Sequence, residues 1–576
     1  MTSAHLAELL ALAVLVVVLG RPLGRYMASV YDGNGRSLPW GLRSVERAIY
    51  AVTGIDAERE MGWREYARAM AVFTLAGAGI LYAMLRLQSY LPLNPTGTAS
   101  VRPWLALNTA ISFATNTNWQ SYAGEQVMSY CSQALGLTVQ NFLSAAAGMA
   151  VLVALIRGIR RTGTGLLGNF YVDLTRSVAY ILLPLAVLCS LLLISQGAVQ
   201  TWAGPAVAHQ VDDTLAQTQR IARGPVASQV AIKQLGSNGG GFFGANSAHP
   251  FENPTPLTNF VETLCILLIP VACCFLYGEM VGDRRQAWML FGVMVLLYVT
   301  AATVTVRAEL AGDPVLASHG VSQASADLSP GGNMEGKEVR NGIVMSAVWA
   351  TATTATSNGS VNSMHASYTP IGLMAPLLLM QVGEVVFGGV GSGLYGMLAI
   401  VVVAVFVAGL MIGRTPEYLG KKIGIFETQM ASVIILLPPV LVLAGTALAL
   451  SIPSAAAAMH NSGPRGFTEV LYAFTSAGNN NGSALAGLGT DTPFYNCTQA
   501  LAMLVGRIIP AVAALALGGA LARKQPTRPG PGTLATHTPL FALWLVFIVL
   551  GVGALTFLPA VSLGPLAEHF VSGGRW

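Results

Sequence analysis

Charge is what this sequence has least of. Only 10% of its 576 residues are Asp, Glu, Lys or Arg and 53% are hydrophobic, whereas soluble domains carry about 25% charged residues. A chain so poor in polar surface is not a soluble enzyme, a disordered segment or a nucleic-acid module. Its 63 Gly and 29 Pro sit among long apolar runs, and membrane helices tolerate both residues. Cys131, Cys189, Cys265, Cys273, Cys274 and Cys497 form no CxxC pair and read as small core residues. Catalytic signatures are missing too: there is no G-x-x-x-x-G-K-[ST], no H-E-x-x-H and no G-x-S-x-G. Thr162-Gly163-Thr164-Gly165 lacks the Asp-Lys of a phosphorylation motif. The chain carries no recognisable machinery to hydrolyse ATP by itself. What remains is a polytopic α-helical membrane protein.

A bilayer core takes roughly 20 apolar residues per helix. Apolar runs fall near 5–25, 66–87, 136–156, 177–197, 258–280, 287–306, 369–387, 394–413, 427–451, 497–522 and 538–559. The first has no basic segment before it and no small-residue cleavage site after it, so it reads as a span. Arg25, Arg36, Arg43, Arg47, Arg59 and Arg64 precede the second run; Arg157, Arg160, Arg161 and Arg176 follow the third; Arg284 and Arg285 follow the fifth. Arg414, Lys421 and Lys422, then Arg523, Lys524 and Arg528, mark two later connections. Such clusters mark cytoplasmic loops and account for the net charge of +5. The connections near 88–135, 198–257, 307–368 and 452–496 are longer and poorer in basic residues. They read as the outer side, with the N-terminus.

Each outer connection repeats one unit: a short apolar segment, then a tract of small polar residues, then a span. The tracts are Thr115-Asn116-Thr117-Asn118-Trp119-Gln120, Gly236-Ser237-Asn238-Gly239-Gly240-Gly241-Phe242-Phe243, Ala355-Thr356-Ser357-Asn358-Gly359-Ser360 and Gly478-Asn479-Asn480-Asn481-Gly482-Ser483. One such loop is an ordinary turn; four in the same setting are a repeat. Non-helical chain at membrane depth must line a cavity or be buried in protein, and Gly and Asn accept positive φ. Four tracts around a pseudo-fourfold axis would form a ring of carbonyl oxygens that replaces the water shell of a cation. No carboxylate occupies any tract, which favours a monovalent ion over Ca²⁺.

All four tracts must open on one side. Three full crossings between the third and fourth would prevent that, so 369–413 is expected to cross once, broken at Gly388-Gly389-Val390-Gly391-Ser392-Gly393. Ten net spans result, with Gly389, Gly391 and Gly393 placed to gate the path beneath the ring. Gly391 to Gly396 matches G-x-G-x-x-G, but no strand–turn–helix unit surrounds it and the dinucleotide reading fails. A charge at the bilayer centre costs about 2.5–3.5 kcal/mol on insertion scales, which marks Glu384 and Arg507 as functional candidates; helix-end snorkelling, or for Glu384 an ion pair to a partner helix, is the plainer alternative. His249, beside Pro250, reads as a hydrogen-bonding loop residue. The expected organisation is 1–30 (extra span), 60–160, 170–282, 284–415 with its broken second helix, 425–525 (four repeats of span, pore loop and span), and 535–576 (extra span).

The sequence resembles the potassium-binding subunits of bacterial Kdp-type potassium-transporting ATPases over nearly its whole length. The resemblance rests on Arg21-Pro22-Leu23-Gly24-Arg25-Tyr26, Thr117-Asn118-Trp119-Gln120, Asn238-Gly239-Gly240-Gly241-Phe242-Phe243, and Asn246-Ser247-Ala248-His249-Pro250-Phe251-Glu252-Asn253-Pro254-Thr255. It rests also on Glu384 ahead of Phe387 to Gly396, and on Gly478 to Ser483. It implies a non-catalytic, channel-like subunit in the bacterial inner membrane, without a cofactor, whose cargo is K⁺. Implied partners are a P-type ATPase subunit, a single-span periplasmic subunit and a very small membrane peptide. By position, the implied K⁺ ligands are the backbone carbonyls of Asn116, Thr117, Asn118, Ser237, Asn238, Gly239, Ser357, Asn358, Gly359, Asn480, Asn481 and Gly482. Gln120 matches the entrance of an intersubunit tunnel toward the ATPase, and Arg507 a basic residue near the pore. Gly244 stands where the family has Asn, past the ligand triplet. The competing reading is an autonomous K⁺ or Na⁺ transporter on the same fourfold plan; a neighbouring reading frame for a P-type ATPase would separate the two.

Overall fold

The computed structural model describes residues 3–32, 40–209, 218–326, 330–383, 385–527 and 534–573. Fifteen of the helices among them build the spans and the pore loops, leaving aside Trp40–Thr53 and shorter turns. They are α1 (Ser3–Tyr31), α2 (Trp63–Tyr90), α3 (Pro103–Ala114), α4 (Ser132–Arg160), α5 (Phe170–Ser195), α6 (Val226–Leu235), α7 (Pro256–Val281), α8 (Arg284–Ala311), α9 (Gly342–Ala355), α10 (Pro370–Gln381), α11 (Ser392–Ile412), α12 (Ile425–Ser451), α13 (Gly463–Gly478), α14 (Pro493–Arg523) and α15 (Pro539–Val571). Among the described residues, ten helices are long and apolar enough to cross a membrane. The chain is a multi-pass membrane protein in which long helix, short helix and long helix follow one another four times, the last helix of the third unit being split into α10 and α11, with α1 and α15 outside the repeats.

Helix starts follow local chemistry. Thr255-Pro256, Thr369-Pro370, Thr492-Pro493 and Thr538-Pro539 open α7, α10, α14 and α15. In each the Thr hydroxyl accepts a backbone N–H of the first turn while Pro takes a position whose own N–H would be orphaned. Glycines set the closest helix contacts. A Cβ on Gly24 of α1 would lie 2.6 Å from the Ala272 carbonyl of α7, and one on Gly158 of α4 would lie 2.4 Å from the Gly518 carbonyl of α14. Small residues let membrane helices approach this closely. The apolar window of α4 is 89% buried and that of α1 17%, so α4 is central and α1 faces outward.

The broken helix differs from expectation in extent. Helix stops at Gln381 and resumes at Ser392, so the break begins before Gly388 and takes in the apolar Val385-Val386-Phe387. Ser392 and Gly393 belong to the next helix. Gly393 packs so tightly on the loop that a Cβ would lie 2.2 Å from the Gly388 Cα. Glu384 lies outside the described residues.

Candidate functional site: a ring of four tracts

The four short helices have 12, 10, 14 and 16 residues, and all end alike. Two residues past each helix comes a left-handed residue: Asn116 (φ 66°), Ser237 (φ 50°), Ser357 (φ 55°) and Asn480 (φ 60°). The next residue returns its N–H to a carbonyl five positions back: Thr117 to Ser112 (2.9 Å), Asn238 to Lys233 (2.7 Å), Asn358 to Thr353 (3.0 Å) and Asn481 to Ser476 (2.8 Å). This is the Schellman pattern of a helix C-terminus, usually built on Gly. Here all four left-handed positions are non-glycine, a strain that persists only where surroundings enforce it. Each helix also directs its negative dipole end toward the tract that follows it.

The tracts close into a ring in chain order. Asn116 donates to the Ser237 carbonyl (2.8 Å) and accepts from Asn238 Nδ2 (2.5 Å), joining the first tract to the second. Asn358 Nδ2 reaches the Lys233 carbonyl (3.0 Å), tying the third tract to the short helix that leads into the second. Ser357 Oγ donates to the Asn480 carbonyl (3.0 Å) and Asn481 Nδ2 to the Thr353 carbonyl (3.0 Å), tying the fourth to the third. Asn480 Nδ2 donates to Thr117 Oγ1 (2.9 Å) and closes the circuit.

Glycine at the third position lets neighbours touch. A Cβ on Gly239 would lie 2.7 Å from the Asn358 carbonyl oxygen, one on Gly359 2.1 Å from that of Asn481, and one on Gly482 2.0 Å from that of Thr117. Asn118, the third residue of the triplet 116–118, is instead met by Gly240. Three Asn-Gly pairs and one Thr-Asn therefore reflect three seams sealed by the triplet glycine and a fourth sealed one residue later.

Among the described residues, the carbonyls of Thr117, Asn238, Asn358 and Asn481 accept no hydrogen bond from protein. They are the same position of each triplet. Four equivalent, buried acceptors left free by the described protein donors can, in one ring, coordinate a dehydrated cation through neutral dipoles.

The broken helix lies against this ring. The Gly388 N–H donates to the Ala355 carbonyl at the end of α9 (2.9 Å). A Cβ on Gly389 would lie 3.2 Å from Ser357 Cβ, and one on Gly391 2.2 Å from the Gly148 carbonyl of α4. Arg507 Nη2 donates to the Ser144 carbonyl (3.4 Å), and Ser144 Oγ donates to Asn116 Oδ1 (2.8 Å). A cavity of about 50 Å³ is lined by Asn479, Asn480, Ser392, Gly393, Tyr395 and Arg507. Arg507 and the glycine break are thus brought together at the helix-facing end of the ring.

Gln120 is not brought to that cavity. It lies past the first triplet, and its amide bonds both backbone groups of Gly241, Nε2 to the carbonyl and Oε1 from the N–H (3.0 Å each). It ties the first tract to the second. His249 stacks on Phe243 at 3.7 Å and accepts the Phe251 N–H (3.1 Å), a loop-bracing role as read. Gly244 donates its N–H to Glu125 (2.8 Å), and a Cβ there would lie 3.0 Å from Ala123 Cβ, which accounts for the small residue.

Sequence reasoning missed the polar scaffold behind the second tract. Lys233 of α6 is fully buried, paired with Glu252 and bonded to Asn246 Oδ1 (2.7 Å). Asn246 Nδ2 in turn holds the Gly239 carbonyl (2.7 Å), and Glu252 accepts the Phe243 N–H (2.9 Å). The signal was a lone Lys inside a short apolar helix.

Comparison with known proteins adds the following. The family model of the potassium-transporting ATPase A subunit matches residues 10–570. A potassium-transporting ATPase potassium-binding subunit of Sorangium cellulosum is 57% identical over 98% of this chain and 99% of its own length. One of Methylococcus capsulatus is 55% identical over 100% of both. The crystal structure of the potassium transporter TrkH from Vibrio parahaemolyticus superposes with a TM-score of 0.50 at 13% identity, covering 86% of this chain and 96% of that one; it shows a shared fold.

Proposed function

Because this chain belongs to the potassium-transporting ATPase A subunit family, as a non-catalytic subunit of such a complex, we propose that its ring of tracts is the potassium-selective site of an ATP-driven uptake system. K⁺ arrives from the outer side, exchanges its water for the carbonyls of the triplets at 116–118, 237–239, 357–359 and 480–482, and is released toward a P-type ATPase subunit. The observation that carries this reading is the set of four equivalent carbonyls, at Thr117, Asn238, Asn358 and Asn481, with no donor among the described residues. Selectivity follows from neutral oxygens held at fixed spacing by interlocked Asn side chains and by glycines at the seams. Arg507 and the loop around Gly389, Gly391 and Gly393 close the path beneath the ring, so an ion pausing there meets a cation and packed backbone rather than an open pore. Energy comes from the partner. The setting is the bacterial inner membrane, in a complex that also holds a single-span periplasmic subunit and a small membrane peptide.

The test is cation competition. Na⁺ should fail to displace radiolabelled Rb⁺ from the wild-type complex while K⁺ succeeds, and Gly239→Asp should erode that difference by placing a charge among neutral ligands. Unchanged discrimination in Gly239→Asp contradicts the assignment.

A further inference from the structure

Behind the seam between the second and third tracts lies a buried carboxylate without a counterion of its own. Glu262 of α7 has no exposed surface. Its Oε2 accepts from Gln234 Nε2 (2.7 Å) and Ser247 Oγ (2.9 Å); among the described residues its Oε1 has no partner. The charged groups that face it are Lys233 and Glu252, and those two are paired with each other. One ammonium and two carboxylates, all fully buried, leave one negative charge over when all are ionised. A buried charge left unpaired is strongly unfavourable.

The carboxylate is wired to the ring. Gln234 Nε2 also donates to Ser360 Oγ (3.1 Å), the residue after the third triplet. Ser360 Oγ donates to Asn246 Oδ1 (3.0 Å), and Asn246 Nδ2 holds the Gly239 carbonyl (2.7 Å). Glu262 therefore reaches two of the four tracts through a continuous hydrogen-bonded chain without touching a ring residue. We propose that Glu262 is the countercharge of the ion in the ring, ionised while the ring holds K⁺, and that it sets how tightly K⁺ is held although it ligates nothing. The inference rests on reading the ring as the K⁺ site. The ion and the carboxylate stabilise each other through the protein, and the tracts stay neutral, so affinity is raised without placing among the ligands a charge that would favour smaller ions.

The test is equilibrium binding of radiolabelled Rb⁺ to the intact complex. Glu262→Gln, which keeps the shape and an acceptor for Gln234, should weaken binding about tenfold, the order given by unit charges roughly 10 Å apart at an effective dielectric near 20. K⁺-over-Na⁺ preference should persist. Glu262→Asp keeps the charge and should stay within about twofold of wild type. Equal weakening in both variants, or none in Glu262→Gln, overturns the proposal. Gly482→Ala is measured alongside: if it weakens binding and Glu262→Gln does not, the countercharge fails and the ring stands, and if neither does, both fail. Should Glu262→Gln not assemble, infrared difference spectra of the wild-type complex with and without K⁺ decide. An ionised-glutamate signal that shifts on ¹³C-glutamate labelling is expected, and its absence overturns the proposal.

Discussion

Gly482→Ala isolates the seam between the fourth tract and the first. Gly482 has φ 104°, and a Cβ there would lie 2.0 Å from the Thr117 carbonyl oxygen, where real Cβ contacts stay above 3.0 Å. The backbone conformation costs Ala about 1–2 kcal/mol. The added methyl must also push the Thr117 oxygen away by about 1 Å, and that oxygen is one of the four proposed ligands. A displaced ligand dipole in a dry site should weaken K⁺ binding at least tenfold, which corresponds to about 1.4 kcal/mol. The assay is the K⁺ dependence of ATP hydrolysis by the assembled complex, with thermal stability measured on the same samples. Gly97→Ala is the control: its φ is also positive (64°), but nothing lies within 4 Å of the new Cβ. It should lose stability by about 1–2 kcal/mol and keep its K⁺ dependence. Wild-type half-saturation in Gly482→Ala, or the same shift in Gly97→Ala, would refute the reasoning.

Other perturbations probe the surroundings. Arg507→Gln removes the cation beneath the ring and should allow passive, ATP-independent Rb⁺ flux through liposomes holding the complex; flux at the wild-type level counts against a blocking role. Asp173→Asn breaks the bidentate pair with Arg157 (2.6 and 2.8 Å) and weakens the bond from Tyr66 (2.9 Å). It should cost about 3–5 kcal/mol, read as a lower unfolding temperature in detergent, and a loss below about 1 kcal/mol would show the pair to be dispensable. Burial holds His249 below its ordinary value of 6.5, so the unfolded chain takes up a proton there that the folded one refuses. Stability should fall as pH drops through 6.5, and the fall should shrink in His249→Gln; identical pH profiles would rule the residue out.

The sequence made the repeat visible because each tract needs residues that accept positive φ or leave room for a neighbouring carbonyl, and Asn, Ser and Gly mark such places. Arg507 stood out as a charge inside an apolar run. The extent of the helix break did not, since Val385, Val386 and Phe387 are buried at 3%, 1% and 4% exposure and hydropathy cannot separate a buried loop from a helix. Lys233, Glu252, Asn246 and Glu262 were hidden for another reason. Their pairing runs between α6, the loop after it and α7, and only the packed structure shows which carboxylate is balanced. The place of Gln120 was likewise beyond the sequence, because its partner, Gly241, lies 121 positions away.

The central claim is that this chain selects the ion and a partner drives it. Rb⁺ uptake into liposomes, with ATP, by the chain alone and by the chain with its ATPase partner complex tests it most directly. Uptake only in the presence of both partner and ATP is the predicted result. K⁺-selective passive flux through the chain alone would contradict it and make the protein an autonomous transporter.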